Sequence, residues 1–91
     1  MEEISYMNIS MTNSVKNIIA GALKYKDKLI DRTNYISDCL KDSFSDLNWC
    51  VIIYEDNHGY GSFKNAKTSY YYCGRINGST IIVIGFKKTN K

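Results

Sequence analysis

The first half of the chain carries apolar residues at helical spacing. They recur every three or four positions and would share one face of a helix: Val15, Ile18, Ile19, Ala22 and Leu23. Good N-cap residues stand just before this run, at Thr12, Asn13 and Ser14. The pattern therefore predicts a first helix over residues 13–25.

A second apolar run follows a charged hinge over residues 26–28. Asp31 or Thr33 can cap the second helix that this run predicts, and Asn48 ends it. The residues of its inner face again lie at helical spacing: Ile36, Leu40, Ser43, Phe44 and Leu47.

After the second helix the period of the pattern changes to two, which is typical of strands. Strands are predicted over residues 48–55, 60–65, 68–74 and 80–87, with turns at 57–59 (Asn-His-Gly) and 76–78 (Ile-Asn-Gly). The run 81–84 is apolar on both faces, which predicts a central strand. A short N-terminal strand over residues 5–9 is a further candidate.

Helices grouped before strands predict an α+β fold, with two N-terminal helices packed on an antiparallel β-sheet. The 91 residues suffice for one domain, residues 1–91. Eight tyrosines and no proline favour β structure. A domain this small is often marginally stable alone, and association into an oligomer is a common remedy.

Charge and cysteine content narrow the class of protein. The net charge of +3 is mild and nucleic-acid domains usually carry a denser basic stripe, so no nucleic-acid partner is expected. Cys39, Cys50 and Cys73 are too widely spaced for a disulfide framework or a zinc site. We expect buried, reduced thiols in a reducing compartment.

No membrane partner is expected from the apolar content either. The longest apolar run, residues 81–84, is too short to span a bilayer. The acidic N-terminus lacks the apolar stretch of a signal peptide.

The stretch from Trp49 to Phe63, WCVIIYEDNHGYGSF, is the most informative part of the chain. Its glycines, Gly59 and Gly61, leave room for another backbone to approach closely, which predicts a strand that pairs outside its own chain. This stretch contains no paired carboxylates, no metal-ligand spacing and no nucleophile–base pair. A lone histidine in a polar turn, such as His58, is typically a solvated surface residue. We therefore expect a binding module, with no enzymatic activity, metal or cofactor.

Several segments share their order and residues with one known family. In the helices these are Met7 and Met11 with the first helix ending at Ala22-Leu23, and the inner face of the second helix with Ile36, Leu40-Lys41 and Phe44. In the strands they are the strand that begins at Trp49, the segment Tyr60-Gly61-Ser62-Phe63, and the last strand, from Gly78 to Lys87. Over nearly its whole length the chain resembles the dynein light chain family, specifically the eight-kilodalton hub class. The most specific likeness is that of Tyr60-Gly61-Ser62-Phe63 to the family's F-G-S-Y segment.

The resemblance implies a strand-swapped homodimer in which one strand crosses to the partner subunit. A client peptide then adds to that strand, in a groove at the dimer interface. The peptide-binding and dimer strand would comprise Tyr60, Gly61, Ser62, Phe63, Lys64, Asn65 and Ala66, with Asn34 and Tyr71 as further groove candidates. The implied partners are the dynein intermediate chain and other disordered segments, and the implied location is the cytoplasmic microtubule motor complex.

The chain also departs from the family pattern. Cys50 follows Trp49 where the family usually has His, so a pH switch through that His is not expected here. Residues 64–67 do not reproduce the family's V-T-H-E, which helps to select Thr-Gln-Thr peptides. Two alternatives therefore stay open: a Tctex-type dynein light chain, and a light-chain-like interaction module with a non-dynein role.

Overall fold

A computed structural model describes residues 2–55, 70–76 and 78–88. Its elements follow one another as β1 (Glu2–Ser5), α1 (Ile9–Tyr25), α2 (Leu29–Ser43), β2 (Leu47–Glu55), β3 (Tyr70–Ile76) and β4 (Ser79–Lys87). The predicted strand over residues 60–65 and the predicted turn over 57–59 lie outside the described residues.

The described strands form one antiparallel sheet in the order β1–β3–β4–β2. In the centre of the sheet Val83 of β4 lies between Tyr72 of β3 and Val51 of β2. The prediction that residues 81–84 form a central strand is therefore confirmed, because β4 has a described strand on each side. β1 and β2 are the two edges of the described sheet.

Both helices lie on one face of the sheet, as the α+β prediction requires. The buried core combines residues of both layers: Met7, Val15, Ile19, Ala22, Ile36, Leu40, Tyr72, Ile81 and Val83. Trp49 packs against this core. Gly85, its neighbour on β4, leaves room for the indole, since a Cβ there would lie 2.8 Å from the Trp49 ring.

The first helix ends at Tyr25 as predicted but begins four residues earlier, at Ile9. Asn8 is the N-cap: its side-chain oxygen accepts a 2.8 Å hydrogen bond from the Met11 amide. The predicted cap residue Thr12 instead lies inside the helix, where its hydroxyl is 2.8 Å from that of Ser5. The predicted strand over residues 5–9 is wrong beyond Ser5, because β1 covers Glu2–Ser5 and α1 already begins at Ile9.

The second helix also begins before its predicted caps, and it ends before Asn48. Thr33 lies within the helix, where its hydroxyl donates to the Leu29 carbonyl. Phe44 leaves helical geometry, and its carbonyl accepts a 3.1 Å hydrogen bond from the Trp49 indole N–H. The Phe44 and Trp49 rings also contact each other, with centroids 5.8 Å apart. These contacts turn the chain directly from α2 into β2.

The remaining strands lie within two residues of their predictions. β2 and β4 each begin one residue earlier, at Leu47 and Ser79, and β3 runs on to Ile76. Gly78 has a φ of 80° and supplies the left-handed residue of the predicted turn before β4. No helix in the described part of the chain is long and apolar enough to cross a membrane.

Candidate functional site

The sheet has a second face, on the side away from the helices. Side chains alternate along a strand, so the neighbours of the core residues Ile81 and Val83 point to this side. We call this surface the second face and define it by its large apolar and aromatic side chains: Ile4, Tyr6, Ile52, Ile82, Ile84 and Phe86.

The second face is apolar at its centre, and its rim combines apolar side chains with polar ones such as Asn48 and Thr80. Ile82 and Ile84 at the centre are nearly buried, whereas Ile52 is 44% exposed and Phe86 41% exposed. The register also places Arg75 of β3 on this side of the sheet. A sheet surface with large, partly exposed apolar side chains is typical of a protein-interaction site.

Two tyrosines extend the second face towards β1. The rings of Tyr6 and Tyr71 lie 6.0 Å apart, and the Tyr6 amide donates a 2.9 Å hydrogen bond to the Tyr71 carbonyl. Partial burial, together with the nearby Cys73 thiol, raises the pKa of Tyr71 to about 12. Tyr71 is one of the two groove candidates that the described part of the chain contains, and the structure puts it on this face.

The outer edge of β2 adjoins the second face. β2 has nine residues, and the side chains from Leu47 to Tyr54 carry no charge. No described strand pairs with its outer edge. Natural edge strands are usually short, charged or covered, because an open edge offers unpaired N–H and C=O groups to any other chain. The β2 edge lacks such protection among the described residues, so it is suited to accept another strand.

Asn34, the other described groove candidate, lies on the opposite side of the sheet from Tyr71. It is exposed on α2 and lines a shallow cavity of about 240 Å³ with Lys26, Asp31, Tyr35, Asp38 and Cys39. Burial, with the adjacent Cys39 thiol, raises the pKa of Tyr35 in this cavity.

The position at which α2 begins decides whether Asn34 lies near free backbone N–H groups. The helix begins at Leu29, so Asn34 is its sixth residue and lies beyond the free N–H groups of the first turn. A polar side chain of a partner would therefore not meet the free N–H groups of the helix start at Asn34. Those groups lie at the first turn, after the N-cap Lys28.

A second depression lies between α2 and the edge strand. Its volume is about 210 Å³, and it lies beside the start of β2. Its lining comes from both elements and from the residue after β4: Ser37, Asp38, Lys41, Leu47, Asn48, Trp49 and Lys88. A strand added to β2 would place alternate side chains along the helix side of the sheet, towards this depression.

The three cysteines are free, and the expectation of buried thiols is wrong, because none of them is fully buried. Cys50 is exposed and belongs to the side of β2 that faces away from the helices, whereas Cys39 and Cys73 are half-buried. In the described ranges, no three His, Cys, Asp or Glu side chains are grouped so that they could hold a metal ion.

The main predicted site lies outside the described residues. It comprises Tyr60, Gly61, Ser62, Phe63, Lys64, Asn65 and Ala66. Conversely, the sequence reasoning missed the second face. Its signal was present: residues 51–53 and 81–84 are apolar at consecutive positions, and two helices can cover only one face of a sheet.

No family model matches the chain, and no match is found among curated proteins. The functional conclusion therefore depends on the fold, the second face and the β2 edge.

Proposed function

We propose that this protein is a non-catalytic, dimeric adaptor that binds extended peptide segments of partner proteins by β-strand addition, in the manner of the dynein light chains that its sequence resembles. The observation that carries the proposal is the second face: an apolar sheet surface whose rim residues Ile52 and Phe86 are more than two-fifths exposed. A second copy of the chain covers it.

A second copy suits this surface because the second face is complementary to itself. A two-fold interface places the same patch on both subunits, so an apolar patch meets an apolar patch. Packed sheets interdigitate the side chains of their facing surfaces about 10 Å apart, and Ile52, Ile82 and Ile84 supply such side chains. Formation of the dimer would also stabilise the fold, because a domain this small is often marginally stable alone.

The crossing strand gives the β2 edge its partner. In the proposed dimer, residues 60–66 of each subunit pair with the outer edge of β2 in the other subunit. This pairing would satisfy the backbone groups of a nine-residue edge that has no charged side chain before Glu55.

Client peptides add to the free side of the crossing strand. Main-chain hydrogen bonds supply the affinity, at about 1 kcal/mol net for each bond, and side-chain pockets supply the specificity. A short peptide therefore binds weakly, in the micromolar range, because ordering it costs free energy. Two grooves in one dimer bind a dimeric client more tightly through the high effective concentration of its second segment. The dynein intermediate chain is the proposed client, in the cytoplasmic motor complex.

Sedimentation velocity over a wide concentration range tests the dimer. We expect a dimer for the native chain and a monomer for Ile52→Glu, because the new carboxylate would be buried in the interface. Ile9→Glu is the matched control: Ile9 is 81% exposed in the first turn of α1, away from the second face, so that variant should stay dimeric. A native chain that remains monomeric at the highest concentration would sink the proposal.

Fluorescence anisotropy with a labelled intermediate-chain peptide tests the client. We expect saturable binding to the native dimer and none to Ile52→Glu. A dimer that ignores this peptide excludes the motor role and leaves the light-chain-like module with another partner. A dimer structure whose exchanged strand is not the one over residues 60–66 indicates the Tctex-type arrangement instead.

A further inference from the structure

Two large apolar side chains are exposed at the tip of the helical layer, far from the second face. Tyr25 ends α1 and is 65% exposed, and Ile30 stands in the first turn of α2 and is 64% exposed. Only residues 26–28 separate the two helices. We call residues 24–32 the helical tip.

The helical tip is also the most basic part of the described helices. It contains Lys24, Lys26, Lys28 and Arg32 against Asp27 and Asp31, so it contributes +2 of the chain's net charge of +3. Asp31 lies in the first turn of α2, where its carboxylate interacts favourably with the positive end of the helix dipole. The lysines of the tip are all exposed.

Local contacts hold this tip in shape. The Arg32 Nε donates a 2.8 Å hydrogen bond to the Lys26 carbonyl, which links the start of α2 to the end of α1. The Lys24 ammonium lies 5.3 Å from the centre of the Tyr25 ring. An exposed aromatic ring, an exposed branched aliphatic side chain and three exposed lysines therefore lie within nine consecutive residues.

We propose that the helical tip docks on the surface of an anionic lipid bilayer. Tyrosine favours the headgroup region of a bilayer because its ring is apolar and its hydroxyl is polar. Ile30 would enter the acyl boundary, while lysines extend their ammonium groups to lipid phosphates and carboxylates. Attraction to the negative surface adds to the burial of these two side chains.

A bilayer fits the tip better than a folded acidic partner. The exposed apolar groups lie on either side of the connection between two helices, and a lipid surface needs no complementary pocket to bury them. The proposal departs from the expectation of no membrane partner, because the sequence argument treated residues 26–28 as a charged hinge and did not predict the exposure of Tyr25 and Ile30.

Co-sedimentation with lipid vesicles tests the proposal. The native chain should bind vesicles of phosphatidylcholine mixed with phosphatidylserine, bind pure phosphatidylcholine much more weakly, and dissociate at high salt. Each basic residue near an anionic surface changes partitioning about fivefold, so Lys26→Ala with Lys28→Ala should lower it about 25-fold. Tyr25→Ser with Ile30→Ser should also lower partitioning, through the loss of apolar burial.

Matched controls locate the effect. Ile9→Ser removes a more exposed isoleucine at the other end of α1, about 24 Å from Tyr25 along the helix axis, and should leave binding unchanged. Lys87→Ala with Lys88→Ala removes the same charge away from the tip and should have a smaller effect. Circular dichroism checks that each variant is folded.

Three results would overturn the proposal. They are no binding to anionic vesicles, equal losses in the control variants, and binding to immobilised polyglutamate that exceeds binding to vesicles. The last result would assign the tip to an acidic protein. The monomeric Ile52→Glu variant should still bind vesicles through its own tip, so failure of the proposed dimer and failure of this inference are distinguishable.

Discussion

The two faces of the sheet have similar residues but different surroundings. Ile81 and Ile82 are consecutive in β4, yet Ile81 is enclosed between the sheet and the helices, while Ile82 belongs to the second face. On the helix side the chain supplies its own cover, through Ile19, Ile36 and Leu40. The comparison shows that an apolar strand specifies burial on both faces, whereas the described residues supply helices for only one.

The two edges of the described sheet differ in the same way. β1 has four residues, two of them glutamates, and is protected as natural edges usually are. Glu3 also accepts a hydrogen bond from the buried Tyr72 hydroxyl and forms a salt bridge with Lys16, so this edge is tied to β3 and α1. β2 is longer and uncharged up to Glu55. The long unprotected edge is the one suited to a second chain.

The largest expected effect comes from truncating the helix-covered face. Ile81→Ala should lower the free energy of unfolding by about 2–5 kcal/mol, because it leaves a cavity in a fully enclosed site. Urea denaturation followed by circular dichroism measures this loss, which should be the same at every protein concentration. Ile52→Ala is the control from the second face and should cost less than 1 kcal/mol at high dilution. Equal losses would contradict the difference between the faces.

A close approach on the helix-covered face gives the next largest effect. Gly85→Ala would place a Cβ 2.8 Å from the Trp49 ring, so the indole must shift and lose part of its packing. We expect a loss of about 1–3 kcal/mol in the free energy of unfolding and a changed Trp49 fluorescence maximum. Gly78→Asn is the control, because Gly78 has open space around it and asparagine tolerates its positive φ. An unchanged fluorescence maximum in Gly85→Ala would contradict this packing.

The hydroxyl of Tyr72 gives a smaller effect, at the boundary between β3 and the β1 edge. It donates a 3.1 Å hydrogen bond to the Glu3 carboxylate. Tyr72→Phe should lower the free energy of unfolding by about 1 kcal/mol at neutral pH. Thermal unfolding at fixed protein concentration checks this, with Tyr54→Phe as the control on the other edge strand. A Tyr72→Phe chain as stable as the native one would show that the bond contributes nothing.

Alkaline pH distinguishes Tyr71 of the second face from an ordinary tyrosine. Its pKa in the folded chain is about 12, against an ordinary value of 10.0, and burial raises the pKa of Tyr72 as well. Because folding favours the protonated forms, stability is fully present below pH 10 and is lost as the pH rises towards 12. Tyr71→Phe should make the decline less steep, as measured by urea unfolding at several pH values. A decline that begins well below pH 9 would require a different group.

The sequence predicted more of the helix-covered face than of the second face, for a physical reason. Helical and strand periods identify residues such as Val15, Ile36 and Val83, whose partners lie within the chain. The start of α1 was missed because several cap residues compete, and Asn8 is chosen by local contacts, including the burial of Met7. The role of the second face was missed because its cover is not specified by any periodicity in this chain.

The substitution with the smallest expected effect on the stability of the monomer, Phe86→Ser, tests whether the second face is an interface. Phe86→Ser removes a ring that is 41% exposed at the rim, so at high dilution the free energy of unfolding should change by only about 0.5 kcal/mol. If two copies bury this ring, dissociation of the dimer should become at least about tenfold easier, because buried aromatic residues dominate interface energies. The melting temperature of the native chain should rise with protein concentration. For Phe86→Ser, whose dimer is weaker, the same rise should need higher protein concentrations than for the native chain. A large loss that is independent of concentration would mean that Phe86 is covered within its own chain, and the second face would then be a second core rather than a surface for a partner.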